Sequence, residues 1–113
     1  MNEKNCIFCK IISRTSPATI VAENEHVIAI KDISPKAPVH LLIIPKKHIV
    51  DVQSLLPEDN VYAAAILQMA RQLSAMETGR RDCKLIINNG VGAGQLVFHL
   101  HCHFLSGKKI VEV

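Results

Sequence analysis

A chain of 113 residues suffices for one compact domain and leaves no room for two. With 49% hydrophobic and 20% charged residues it has the composition of a folding chain, which excludes an intrinsically disordered one. A formal net charge of +3, with no Trp, one Tyr and three Phe, is too mild and too poor in stacking residues for a nucleic-acid binder; it fits a small anionic ligand better.

The stretch Met1 to Asn5 is polar and lacks the apolar centre of a signal peptide. The longest apolar run, Val39 to Ile44 with His40 inside it, is far too short to span a bilayer. The expectation is a cytoplasmic chain without membrane or nucleic-acid partners, its four cysteines reduced. Cys6 to Ser13 is predicted as a short helix, because Ile7, Phe8, Ile11 and Ile12 recur at helical spacing, and Ser16-Pro17 ends it. Cys6-Ile7-Phe8-Cys9 is a C-x-x-C pair: half of a metal site, a redox pair, or two buried cysteines. The βαβ setting that a redox pair expects is absent. Cys83 and Cys102 are expected to be small core residues.

Thr19 to Ala22 and Val27 to Lys31 are β-rich and flank Glu23-Asn24-Glu25, a hairpin connection. Ser34 to Pro38 is a loop held by two prolines, and His40 to Ile44 is a buried strand ended by Pro45. Lys46 and Lys47 fall at its solvated end. Pro57 opens the one long helix, with Glu58 and Asp59 in its first turn, where acidic side chains suit the dipole. Tyr62, Ile66, Met69, Ala70, Leu73 and Met76 form an apolar stripe for the core or a dimer interface, and Gly79 follows as the C′ residue. Arg71, Arg80 and Arg81 face water. Lys84 to Ile87 is a strand, Asn88 to Gly94 a glycine-rich turn, and Leu96 to Leu105 a long final strand. The result is an α+β domain: an antiparallel five-stranded sheet with one short N-terminal helix and one long helix packed on it.

On that last strand His99, His101 and His103 point to one face and Leu100, Cys102 and Phe104 to the other, with about 7 Å between successive imidazoles. Such a row can bind a metal, bind an anion, or do acid–base and nucleophilic chemistry. A lone histidine such as His26 reads as a hydrogen-bonded structural residue. Three in alternation give up packing for no structural gain. Gly90, Gly92 and Gly94, just upstream, let backbone N–H groups approach a phosphate closely.

The run Gln95-Leu96-Val97-Phe98-His99-Leu100-His101-Cys102-His103-Phe104-Leu105 resembles the signature of the histidine triad (HIT) superfamily, H-x-H-x-H with apolar residues between. The stretch from Asp32 through Ser34-Pro35-Lys36-Ala37-Pro38 to Pro45-Lys46-Lys47-His48 is similar to the Hint branch, the purine nucleoside phosphoramidases. The resemblance runs from about Cys6 to Gly107. It implies a HIT-like fold over a single domain 1–113, and a homodimer whose long helices meet and whose sheets join. It also implies hydrolysis of the phosphorus–nitrogen bond of adenosine or guanosine phosphoramidates, releasing a nucleoside monophosphate and an amine. Carried over by position, His101 is the nucleophile that becomes nucleotidyl-histidine, His103 contacts the phosphate oxygens, and His40 supports the triad from behind. Asp32 binds the ribose hydroxyls, Ile33 lines the base pocket, and Asn88, Gly94 and Gln95 hold sugar and phosphate. Members of the superfamily with this C-x-x-C bind zinc through it, together with two histidines that correspond here to His48 and His99. The implied structural zinc site is therefore Cys6, Cys9, His48 and His99. The chain departs from the Hint pattern at Leu96, where a serine is usual, and in its short tail, Lys108 to Val113, which lacks aromatic residues. Leu96 keeps a second reading open, a non-catalytic nucleotide- or partner-binding protein; hydrolysis of diadenosine polyphosphates is the third.

Overall fold

The computed structural model describes residues 5–109. The polar start, Met1 to Lys4, and the last four residues of the tail, 110–113, lie outside them. Seven main elements follow in order: α1 (Ile7–Ile12), β1 (Ile20–Glu23), β2 (Val27–Lys31), β3 (Val39–Pro45), α2 (Asn60–Gln72), β4 (Lys84–Ile86) and β5 (Cys102–Ser106). The five strands form one antiparallel sheet, as the sequence predicts, and lie in the order β1-β2-β3-β5-β4. No helix among the described residues is long and apolar enough to cross a membrane.

Local chemistry accounts for the ends of the elements. The Cys6 thiol caps α1 by accepting from the Cys9 N–H at 3.3 Å. Asn24 Oδ1 takes the N–H groups of His26 and Val27 at 2.9 and 3.0 Å, which turns the β1–β2 hairpin. A 3-10 turn, Pro57–Asp59, leads into α2. The helix continues through a wider π-type turn, Leu73–Thr78, and stops at Gly79, whose φ of 67° is left-handed.

The central strands β2 and β3 are covered on both faces, which is why β3 reads as a nearly continuous apolar run. Beneath α2, Val27, Ala29, Leu41, Ile43 and Phe104 meet Ile66, Met69 and Leu73. On the opposite face Ile28, Ile30, Leu42 and Ile44 meet Phe8, Cys9 and Ile11 of α1. Phe104 is fully buried at the middle of the larger cluster. Phe104→Ala is expected to destabilise the chain by about 3–5 kcal/mol, read from the denaturant midpoint, because the site cannot collapse onto a missing ring.

Four sequence expectations change. Lys47 is no solvated strand end, because its ammonium lies 2.5 Å from Oδ1 of Asp59, a residue only 2% exposed. The Asp59 carboxylate also accepts from the Leu56 N–H, and the Lys47 ammonium holds its carboxyl below the usual range. Cys83 is exposed rather than in the core. Met76 is 76% exposed, so of the two places the sequence leaves for it, core or dimer interface, only the core is closed.

The fourth change shapes the site. Regular pairing begins at Cys102, not at Leu96. The chain before it is held off the sheet by Gln95, which is 2% exposed. Its amide donates to the carbonyls of Val50 and Val97 at 2.8 and 3.1 Å and accepts from the Gly90 N–H at 2.7 Å. The chain bends at Val97–His99, and the Leu100 N–H bonds the Ile49 carbonyl beyond the end of β3.

Candidate functional site

The three histidines share the face turned toward α1, while Leu100, Cys102 and Phe104 pack on the other. His99, fully buried, turns toward α1. Its Nε2–H donates to the Pro45 carbonyl at 2.8 Å, so Nδ1 carries the lone pair. That Nδ1 stands 3.3 Å from Cys6 Sγ and 3.6 Å from Cys9 Sγ, while His48 Nδ1 stands 3.2 Å from Cys9 Sγ. All four donor atoms lie within 4.8 Å of one another. A tetrahedron with metal–ligand distances of about 2.0–2.3 Å has edges of about 3.3–3.8 Å; three of the pairs, at 3.2, 3.3 and 3.6 Å, lie near that range, so the donors could close on a metal with small shifts. Burial pushes the pKa of His99 down to about 4, which leaves a neutral ligand at pH 7. Burial raises the Cys6 thiol, an effect that a bound cation would reverse.

His101 has the opposite tautomer. Its Nδ1 lies 2.8 Å from the His99 carbonyl, which can only accept. Nδ1 therefore holds the proton and Nε2 the lone pair. The Phe8 ring stands edge-on at 5.0 Å from this imidazole and 5.9 Å from that of His99, wedging both.

A second chain of contacts fixes His103. The Lys36 N–H donates to His40 Nδ1 at 3.0 Å, so His40 carries its proton on Nε2. That proton goes to His103 Nδ1, 2.9 Å away, and leaves the His103 proton on Nε2. Asp32 Oδ2, 3.4 Å from His40 Nε2, favours the same arrangement. The rings of His101 and His103 are 5.2 Å apart, one offering a lone pair and the other a proton. The donor atoms of Asp32, His40 and His103 are also close enough for a metal. However, the Lys36 amide occupies the His40 Nδ1 lone pair, so ligation through Nε2 would require an imidazolate. These three form a proton-bonded chain instead.

Burial, helped by His101 and His40, pushes His103 down to about 4, and burial lowers His40 against the opposing pull of Asp32. Between pH 6.5 and about 4 the unfolded chain therefore binds more protons than the folded one. Stability should be complete above pH 6.5 and fall as the pH drops toward 4. Denaturant midpoints at pH 7.5 and 5 check this, and equal values would contradict it.

The other expected site residues fall into two groups. Asp32 is half-buried at the mouth of the His40 chain, its Oδ1 accepting from the Ser34 N–H at 2.7 Å, and Ile33 beside it is 99% exposed. Asn88, Gly94 and Gln95 meet in the glycine-rich turn: Asn88 donates to the Ala93 carbonyl at 2.9 Å, and Gln95 ties the turn to Val50. The groups that fix each tautomer, Lys36 N–H, Pro45 C=O and His99 C=O, were not legible in the sequence, because backbone atoms carry no residue signature. Phe8 was legible only as a core residue of α1.

A buried imidazole with a free lone pair beside a neighbour with a free proton is the arrangement of a histidine-triad protein, and the two thiols and two imidazoles behind them are a set that could hold a metal. Comparisons with known proteins agree. A family model described as "Scavenger mRNA decapping enzyme C-term binding" matches residues 5–111. An uncharacterised HIT-like protein of Synechocystis is 44% identical over 106 residues, covering 93% of this chain and 92% of that one. Protein HitA of Neisseria gonorrhoeae is 39% identical over 101 residues, covering 89% and 94%. Among solved structures, a histidine triad protein from Clostridium difficile superposes with TM-score 0.94 at 35% identity, covering 100% and 99% of the two chains. A HIT family hydrolase from Clostridium thermocellum gives 0.93 at 46%, covering 99% and 98%. A zinc-bound histidine triad protein from Mycobacterium smegmatis gives 0.78 at 35%, covering 92% and 76%. The chain belongs to the histidine triad superfamily.

Proposed function

We propose that the chain is a nucleotide-binding hydrolase that cleaves the phosphorus–nitrogen bond of purine nucleoside phosphoramidates. The observation that carries this is the pair of opposed tautomers: His101 presents a lone pair on Nε2, and His103, 5.2 Å away between ring centres, presents a proton. His101 Nε2 attacks phosphorus and forms the nucleotidyl-histidine. His103 Nε2–H binds the phosphoryl oxygen on which charge grows. The amine departs with a proton taken from solvent, and water then attacks phosphorus, giving its proton back to solvent as the Nε2–P bond breaks and the nucleoside monophosphate leaves. Asp32 holds the ribose hydroxyls, Ile33 the base, and Asn88 with the backbone at Gly94 and Gln95 the sugar and phosphate.

Cys6, Cys9, His48 and His99 hold a structural zinc, which supplies cross-linking of α1, the end of β3 and the bend before β5. The zinc-bound relative supports that ion. Reduced thiols there suit a cytoplasmic chain. Exposed apolar residues, Val61, Leu67 and Met76 around the long helix and Leu85 on the edge strand β4, support a homodimer.

The test is release of AMP from adenosine 5′-phosphoramidate, compared with cleavage of a diadenosine polyphosphate. Faster cleavage of the phosphoramidate is expected. Faster cleavage of the diadenosine compound would move the substrate assignment to phosphoanhydrides. Leu96, 88% exposed and without a hydroxyl, favours one second reading, a nucleotide-binding protein without turnover. AMP binding with no hydrolysis of any phosphoramidate would establish that reading.

A further inference from the structure

The ladder between β3 and β5 ends at the pair Val39–Ser106. The next residue beyond each strand end, Pro38 on one side and Gly107 on the other, meets its counterpart face to face. Gly107 has φ 106°, and a Cβ placed there would stand 2.8 Å from Pro38 Cβ and 3.2 Å from Cγ. An L side chain is excluded both by the backbone conformation and by the ring. Pro38 belongs to the loop between β2 and β3. Its base is closed by the Asp32 N–H donating to the His40 carbonyl at 3.0 Å. Its interior delivers the Lys36 N–H to His40 Nδ1, also at 3.0 Å.

We propose that Gly107 is a positioning residue for the reaction: by letting Pro38 seat against the end of β5, it places the Lys36 amide and so sets the tautomers of His40 and His103. The chemistry follows from the direction of each bond. With the Lys36 amide in place, His40 Nδ1 accepts, His40 Nε2–H donates to His103 Nδ1, and His103 Nε2–H is available to a phosphoryl oxygen. With the loop displaced, His40 can carry its proton on Nδ1. His103 then donates from Nδ1 to His40 Nε2, and its own Nε2 turns a lone pair toward the phosphoryl oxygens. A donor becomes an acceptor without any catalytic side chain being altered. The Asp32 carboxylate, 3.4 Å from His40 Nε2, still favours the original form, so displacement yields a mixture of tautomers.

The kinetic arm of the test rests on the phosphoramidase reading. The spectroscopic arm does not, because tautomers are read on the free protein, so the two failures can be told apart. Gly107→Ala and Pro38→Gly are prepared with 15N-labelled histidine. A third protein carries D-alanine at 107, made by ligating a thioester of residues 1–101 to a synthetic peptide that begins at Cys102. D-alanine suits the positive φ and turns its methyl away from Pro38. Imidazole 15N shifts should show single tautomers of His40 and His103 in the natural protein and the D-alanine protein, and mixtures in Gly107→Ala and Pro38→Gly. In those two variants kcat for adenosine 5′-phosphoramidate should fall about tenfold, with KM within about threefold, as expected for losing a donor that acts in the transition state. If Gly107→Ala does not fold, Pro38→Gly and the D-alanine protein carry the same comparison. Natural tautomer patterns in the folded variants, or a D-alanine protein as impaired as Pro38→Gly, would overturn the proposal.

Discussion

Replacing His101 by alanine is expected to lower kcat for adenosine 5′-phosphoramidate by on the order of 10³-fold or more while leaving the fold and AMP binding in place. Of the three triad imidazoles, this one alone combines a proton held away from the site, on Nδ1 at the His99 carbonyl, with a lone pair on Nε2. Alanine removes the proposed nucleophile but none of the four sulfur and nitrogen donors of Cys6, Cys9, His48 and His99. The ring leaves a small gap against Phe8, which costs some stability without opening the sheet. His103→Ala should behave differently. It keeps the attacking group and loses one donor to the developing charge, so kcat should fall by about 10²- to 10³-fold. Steady-state rates with calorimetric AMP affinities check both variants. A His101→Ala protein that retained turnover would remove this residue from the chemistry.

Stripping the metal centre should have the second largest effect. His99 has two jobs: its ring faces Cys6 and Cys9, and its carbonyl holds the proton of His101. Freeing the ring therefore loosens the group that sets the nucleophile's tautomer. A ligand present at a thousand times its Kd stabilises the folded state by about 4 kcal/mol, roughly 15 °C in Tm for a chain of this size. Native protein should contain about one zinc per chain. Cys9→Ser, or exhaustive chelation, should remove it, lower Tm by that order and lower kcat with it. Elemental analysis and calorimetry read the first two effects without reference to activity. Metal-free native protein whose Tm ignores chelators would contradict the assignment.

The large elements were legible because burial imposes a period. His40 to Ile44 announced a buried strand, which the structure extends to Val39–Pro45, and Ile66, Met69 and Leu73 announced the buried face of α2. The segment from Leu96 to Leu105 misled for a physical reason. Alternating apolar and polar residues describe any extended chain, whether or not it has a partner strand. What keeps Val97 to His99 off the sheet is a buried glutamine bonded to Val50 and Gly90, a long-range contact without periodicity. The three imidazoles do share one face, toward Phe8, with Leu100, Cys102 and Phe104 on the other under α2; what the alternation could not show is that their tautomers differ. Division of labour among them follows from Pro45, His99 and Lys36 backbone atoms, which look the same in every sequence. The metal set spans His48 and His99, which lie 39 and 90 residues from Cys9, so no local spacing could find it, and only the family resemblance pointed there. Lys47 and Asp59 misled in another way. Charged residues read one at a time look solvated, whereas this pair meets across a loop and buries the carboxylate.

The most direct test is a single turnover of adenosine 5′-phosphoramidate, quenched in alkaline denaturant during the burst, with the peptides mapped by mass spectrometry. One adenylyl group is expected on His101, forming before AMP appears and absent from His101→Ala. An adenylyl group on another residue, or AMP released with no enzyme-bound adenylyl at any time, would contradict the nucleotidyl-His101 intermediate.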